Sequence, residues 1–113
     1  MMADLGEIRK IGDPVLYLKA EKVRKEEIPS LQPVIDRMFA LIKEFRKVWG
    51  AGRAIAAPQV GVSKRMICMD TGNPVVFINP ELHDLGDETM EIWDDCMSFP
   101  NLLVKVRRHK TCR

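Results

Sequence analysis

Histidine is scarce in this sequence. Only His83 and His109 occur among 113 residues, and neither has ligand spacing to the other or to Cys96, so both read as surface histidines. Cysteine is no richer. Cys68, Cys96 and Cys112 are an odd count without a Cys-x-x-Cys pair, which excludes a disulfide framework and a zinc ribbon and leaves reduced thiols as the expectation. No apolar stretch approaches the ~18 to 20 residues of a bilayer-crossing helix, and Met1–Glu7 shows no basic region followed by an apolar run. Neither membrane anchor nor secretory signal is therefore expected, and the cytoplasm is the default location. Charge of one sign is missing too. A formal net charge of +2, with bases and acids interleaved through Glu21–Glu27, describes a solvated surface and excludes a basic stripe for nucleic acid.

What is present is ordinary for a globular protein: 46% hydrophobic and 30% charged residues, in a length that suits one domain over residues 1–113. Ile11-Gly12-Asp13-Pro14-Val15-Leu16 opens on a turn signal, with Asp13 as a turn residue, and the charge-rich segment up to Glu27 reads as an exposed loop. Pro29-Ser30 then opens a helix. Leu31, Val34, Ile35, Met38, Leu41, Ile42, Phe45 and Trp49 recur at three- and four-residue steps on one face, Pro33 suits an early helical position, and Gly50 and Gly52 end the run. Strands are predicted at Arg65–Asp70, Val75–Asn79, Thr89–Trp93 and Leu102–Arg107, the last with Val104 and Val106 facing one way and Lys105 and Arg107 the other. The fold class is α+β, one long helix packed on antiparallel strands. Leu102–Cys112 reads as the start of a meander whose last strand lacks a neighbour, an edge that invites pairing with a second copy. The methionines, Cys68 and Cys112 read as structural, and Trp49 and Trp93 as core or groove-lining rings.

Two segments about 35 residues apart carry the chemistry: Gly52-Arg53-Ala54-Ile55-Ala56-Ala57-Pro58-Gln59 and Asp94-Asp95-Cys96-Met97-Ser98. Together with Gly12-Asp13-Pro14-Val15-Leu16, the exit Val60-Gly61-Val62-Ser63-Lys64-Arg65 and the strand Phe77-Ile78-Asn79-Pro80-Glu81, they resemble the peptide deformylases, over nearly the whole chain. That family removes the formyl group from N-terminal formylmethionine. The resemblance implies a divalent metal (iron, nickel or zinc) held by a cysteine and by two histidines of a His-Glu-x-x-His helix, whose i, i+4 spacing lets both reach one ion while its glutamate shuttles a proton. It further implies that Cys96 corresponds to the thiolate ligand, that Gln59 and the backbone N–H of Met97 donate to an oxyanion, and that Gly52, Arg53, Ala54 and Ile55 pair with an extended N-formylmethionyl peptide.

Three departures stand out. Ala54 replaces a glycine, where a methyl is unwelcome if the backbone needs positive φ. Asp94-Asp95 replaces Glu-Gly, placing an additional anion beside the cysteine, which disfavours its thiolate. No counterpart of the two histidines and the glutamate occurs within these residues. Three readings follow: a shortened deformylase whose chain as given binds no metal and is inactive, a non-catalytic relative that binds a peptide or partner by strand pairing, or a site completed by another chain.

Overall fold

The structure, a computed structural model, describes residues 3–113. Its helix α1 spans Gln32–Trp49 and begins at Gln32 rather than at Pro29-Ser30, because Lys25–Leu31 forms a tighter 3₁₀ turn ahead of it. Ser30 does not cap α1. Its hydroxyl donates back to the Glu27 carbonyl at 2.6 Å and so holds the chain in the tighter turn. Pro33 lies in the first turn of α1, where its missing N–H costs nothing, and Gly50 ends the helix in the left-handed conformation at φ 74°.

The periodic stripe faces inward as its spacing dictates: Leu31, Ile35, Met38, Leu41, Ile42 and Phe45 are buried. Val34 is only partly covered, and Trp49 lies 44% exposed with its ring stacked on Phe45 at 5.8 Å between centroids. The segment before α1 is less open than its charges suggest, since Val23 is buried within it. Asn79 explains this. At φ 52° its side chain accepts from the Val23 N–H at 2.8 Å and donates to the Val23 carbonyl at 2.9 Å, standing in for a neighbouring strand.

Three antiparallel strands, β1 (Ala54–Ala56), β2 (Met66–Asp70) and β3 (Pro74–Ile78), form a sheet in the order β1-β2-β3, and β1 and β2 meet α1. Ile55 lies opposite Cys68 and Cys68 opposite Val76, which brings one face of the sheet onto the helix. Met38, Leu41, Ile42, Ile55, Met66 and Cys68 are the largest side chains fully buried there, each of the larger ones worth about 1.5–3 kcal/mol of burial. Burial also pushes the Cys68 thiol up to about 11, consistent with a purely structural residue.

The remaining strands stand apart as a hairpin, β4 (Thr89–Asp94) with β5 (Val104–His109), rather than joining the sheet under α1. Ile92 opposes Val106 and Asp94 opposes Val104 on its half-covered face. Trp93 is on the other face, 67% exposed, so it is not a core ring. The chain after β5 is not left without a neighbour either. The Lys110 N–H donates to Glu88 O at 2.9 Å, the Gly86 N–H to Thr111 O at 2.9 Å, and His83 and Arg113 exchange two bonds of 2.7 Å. The outer side of β5, by contrast, has no strand partner among the described residues.

Glu27 anchors the turn into α1. Lys64 lies 3.0 Å from its Oε1, while its Oε2 accepts from the Arg24 N–H and Nε at 3.2 and 3.0 Å, and these bonds hold its pKa down to about 2. A folded pKa below the unfolded one contributes stability that is complete above the ordinary carboxylate range and is lost as pH falls toward 2. Glu27→Gln should therefore lower the urea midpoint at neutral pH, and the gap from the parent should narrow between about pH 5 and 3. A gap that does not narrow would contradict this account.

Candidate active site

Two sharp backbone turns deliver β1 to the site. After Gly50, Gly52 adopts φ +124°, and a Cβ there would stand 2.9 Å from Met97 Cε and 3.0 Å from Phe45 Cδ1. Glycine is required on both counts. Ala54 differs: it lies in β1 opposite Met69 and is not among the positive-φ residues, so its methyl imposes no backbone strain. The four residues singled out in sequence divide by direction. Gly52, Arg53 and Ala54 line a cleft, whereas the Ile55 side chain is 1% exposed beneath β1, leaving only its backbone for an outside partner. β1 pairs with β2 on one side, and its other edge is unpaired among the described residues.

Gln59 comes from the 3₁₀ turn Ala57–Val60 that follows β1. Its Oε1 accepts from the Ala56 N–H at 2.9 Å, which fixes the amide so that Nε2 points the other way, 3.0 Å from Ser98 Oγ and 3.5 Å from Cys96 Sγ. The Ser98 N–H also approaches that sulfur, at 3.5 Å. Two N–H donors thus converge on Cys96 Sγ, an arrangement that suits a sulfur carrying negative charge. The Met97 N–H finds no acceptor among the described residues, although the Met97 side chain is buried.

These groups share one cleft of about 280 Å³, bordered by Phe45, Gly52, Gln59, Asp95, Cys96 and Met97. The N-terminal segment holds its two halves together. The Arg9 N–H donates to Gln59 O at 2.7 Å and the Ile11 N–H to Ser98 O at 2.9 Å, one bond to each motif. Asp13 keeps to its turn role, accepting from the Val15 N–H at 3.0 Å.

Sequence reasoning missed the electrostatic setting. The shortened carboxylate Asp94 is engaged, its Oδ2 pairing with Arg108 at 2.5 Å and its Oδ1 accepting from the Asp95 N–H at 2.9 Å, whereas the added anion Asp95 is exposed beside Cys96. Arg108 reaches the cleft from β5. Only the antiparallel register of β4 and β5 brings it there, and nothing in its local sequence marked it. Ser98 was visible in its motif, yet its contact with Gln59 depends on a fold that joins residues 39 positions apart.

The described residues do not complete a metal site. No group of three or more His, Cys, Asp or Glu side chains among them could hold an ion. His83 lies on the surface with Nε2 3.3 Å from Glu81, and the Nδ1 of exposed His109 is 2.7 Å from Gly86 O. Cys96 alone fits a ligand role, and one thiolate is a poor site.

A short antiparallel sheet on a long helix, an oriented glutamine and a cysteine in one cleft define the peptide deformylase class of fold. The family profile described as polypeptide deformylase matches residues 5–113, and the chain belongs to that family. It is 40% identical over 104 residues to the peptide deformylase of Thermotoga petrophila, covering 91% of this chain and 60% of that protein. The peptide deformylase of Dictyoglomus turgidum is 39% identical over 103 residues, covering 90% of this chain and 63% of that one. The crystal structure of the Thermotoga maritima enzyme superposes with a TM-score of 0.80 at 38% identity, over 91% of this chain and 67% of that one. The actinonin-bound class I type b peptide deformylase of Acinetobacter baumannii gives 0.80 at 32% identity, over 92% and 68%. The chain spans about 60% of the length of the Thermotoga relatives it matches.

The Gly52 turn offers a direct test of how the site is built. Gly52→Ala should destabilise the chain by about 1–3 kcal/mol in urea denaturation, the cost of holding a non-glycine residue in a sparsely populated backbone region. A change within error would show that β1 enters the site without that constraint.

Proposed function

We propose that these residues form the peptide-binding and carbonyl-polarising part of a deformylase, a hydrolase that removes the formyl group from N-formylmethionyl peptides. The observation that carries this reading is the amide of Gln59, held by Ala56 and directed at Cys96 in a cleft beside an unpaired strand edge. An extended peptide would pair along Gly52–Ile55, as strands recruit peptides to open edges. Its formyl oxygen would then face Gln59 Nε2 and the Met97 N–H, two donors placed where charge develops as the carbonyl carbon is attacked. One such donor contributes about 2.7–4 kcal/mol in hydrolases that use them.

A divalent metal (iron, nickel or zinc) supplies the activated water in the family this chain belongs to. Among the described residues only Cys96 corresponds to a ligand and no proton-shuttling glutamate is placed beside it, so in this reading these residues bind and polarise without completing hydrolysis. We read them as one cytoplasmic unit with no role in binding nucleic acid or a membrane. No helix among the described residues is long and apolar enough to cross a bilayer.

Titration of the chain with a formyl-Met-Ala-Ser peptide should show saturable binding that weakens about tenfold or more in Gln59→Ala, with substoichiometric metal and no formate release. Absence of binding would sink the reading. Tight metal with turnover would overturn the division between binding and hydrolysis.

The hairpin favours a second reading, strand pairing without chemistry. The outer side of β5 has no strand partner among the described residues, and Leu103 beside it is 63% exposed. In that reading the edge near Val104 and Val106 joins two copies of the chain. Sedimentation should show a dimer that grows with concentration, and a monomer at all concentrations would remove this alternative.

A further inference from the structure

One side chain outside both motifs connects the helix to the strand edge. Arg46 lies in the last turn of α1, where a cation is favoured by the helix dipole. Its Nε donates to Gly52 O at 2.9 Å and its Nη2 to Asp70 O, so one guanidinium bridges a carbonyl just before β1 and the last carbonyl of β2. Between these two points the Asp70 N–H donates to Arg53 O at 2.7 Å. Arg46 therefore closes the open end of the β1–β2 ladder, at the place where the chain leaves the sheet.

The need for such a closure follows from length. β1 has three residues, too few to hold its direction by ladder bonds alone, and its entry runs through Gly52 at φ +124°, a conformation open to the freely rotating glycine backbone. A planar fork can satisfy two carbonyls at once in a fixed geometry; an ammonium offers a point charge on a flexible stem. We propose that Arg46 is a positioning residue for peptide capture, fixing the direction of the β1 edge on which an extended formylated peptide pairs. This rests on the function proposed above, and Arg46 touches neither the peptide nor the reacting carbonyl.

The test compares the parent chain with Arg46→Met, Arg46→Lys and the control Lys47→Met, which removes a neighbouring exposed cation with no bond to the strands. Three readouts are taken: affinity for a formyl-Met-Ala-Ser peptide, amide exchange at Asp70, and the thermal midpoint. Arg46→Met should weaken binding about tenfold and speed Asp70 exchange by a similar factor, with Arg46→Lys intermediate and Lys47→Met like the parent. A merely structural role would lower the midpoint and spare affinity well below it. If the parent binds while Arg46→Met binds as tightly and protects Asp70 as well, the assignment is overturned and the functional reading survives. A parent that binds no formylated peptide sinks the functional reading and, with it, the purpose assigned to Arg46.

Discussion

The site depends on the orientation of one amide group. Gln59 is held at both ends, its oxygen by the Ala56 N–H and its nitrogen by Ser98 and Cys96, and the nitrogen end joins segments 37 to 39 residues apart. Because an amide carries its donor and acceptor at opposite ends, satisfying the oxygen locally leaves the nitrogen no choice of direction. The backbone bonds from Arg9 and Ile11 reinforce the same junction from behind, one on each motif. A cleft whose donor is fixed in advance loses little entropy when a ligand arrives, which is the physical basis of preorganised carbonyl recognition.

The helix and the sheet serve that junction. The buried stripe of α1 sets where β2 lies, β2 sets where the short β1 lies, and the Gly52 turn lets Phe45 and Met97 close over the strand without meeting a side chain. The hairpin of β4 and β5 adds the second half of the site by delivering Cys96 just after β4 and Arg108 from β5. Arg108, fourteen residues downstream, opposes the charge of Asp94, while the additional carboxylate, Asp95, stays exposed to solvent.

Much of this was legible in the chain itself. Spacing located the helix stripe, Gly50 marked its end, alternation assigned the two faces of β5, and the two motifs named Gln59 and Cys96. Other features had no local signal. The 3₁₀ turn over Lys25–Leu31 replaced a helix start because Ser30 bonded backward, Val23 is buried because a distant Asn79 covers it, and Trp93 turned outward because the hairpin stands away from α1. Arg46 fell on the exposed side of the helix by its periodicity, and only the approach of Gly52 and Asp70 gave it partners.

Sequence alone determined which residue types stand in the two motifs, where the stripe of the long helix runs and where most of the extended segments lie, because periodicity, turn chemistry and motif composition act over a few neighbouring residues. The tertiary structure decided which of those groups meet. The amide of Gln59 faces Cys96, Arg108 faces Asp94 and Arg46 closes the strand edge only after packing of the apolar stripe has brought distant carbonyls and side chains within bonding distance. Long-range hydrogen bonds and ion pairs have no footprint in local sequence, since their geometry exists only once the core that positions them has formed.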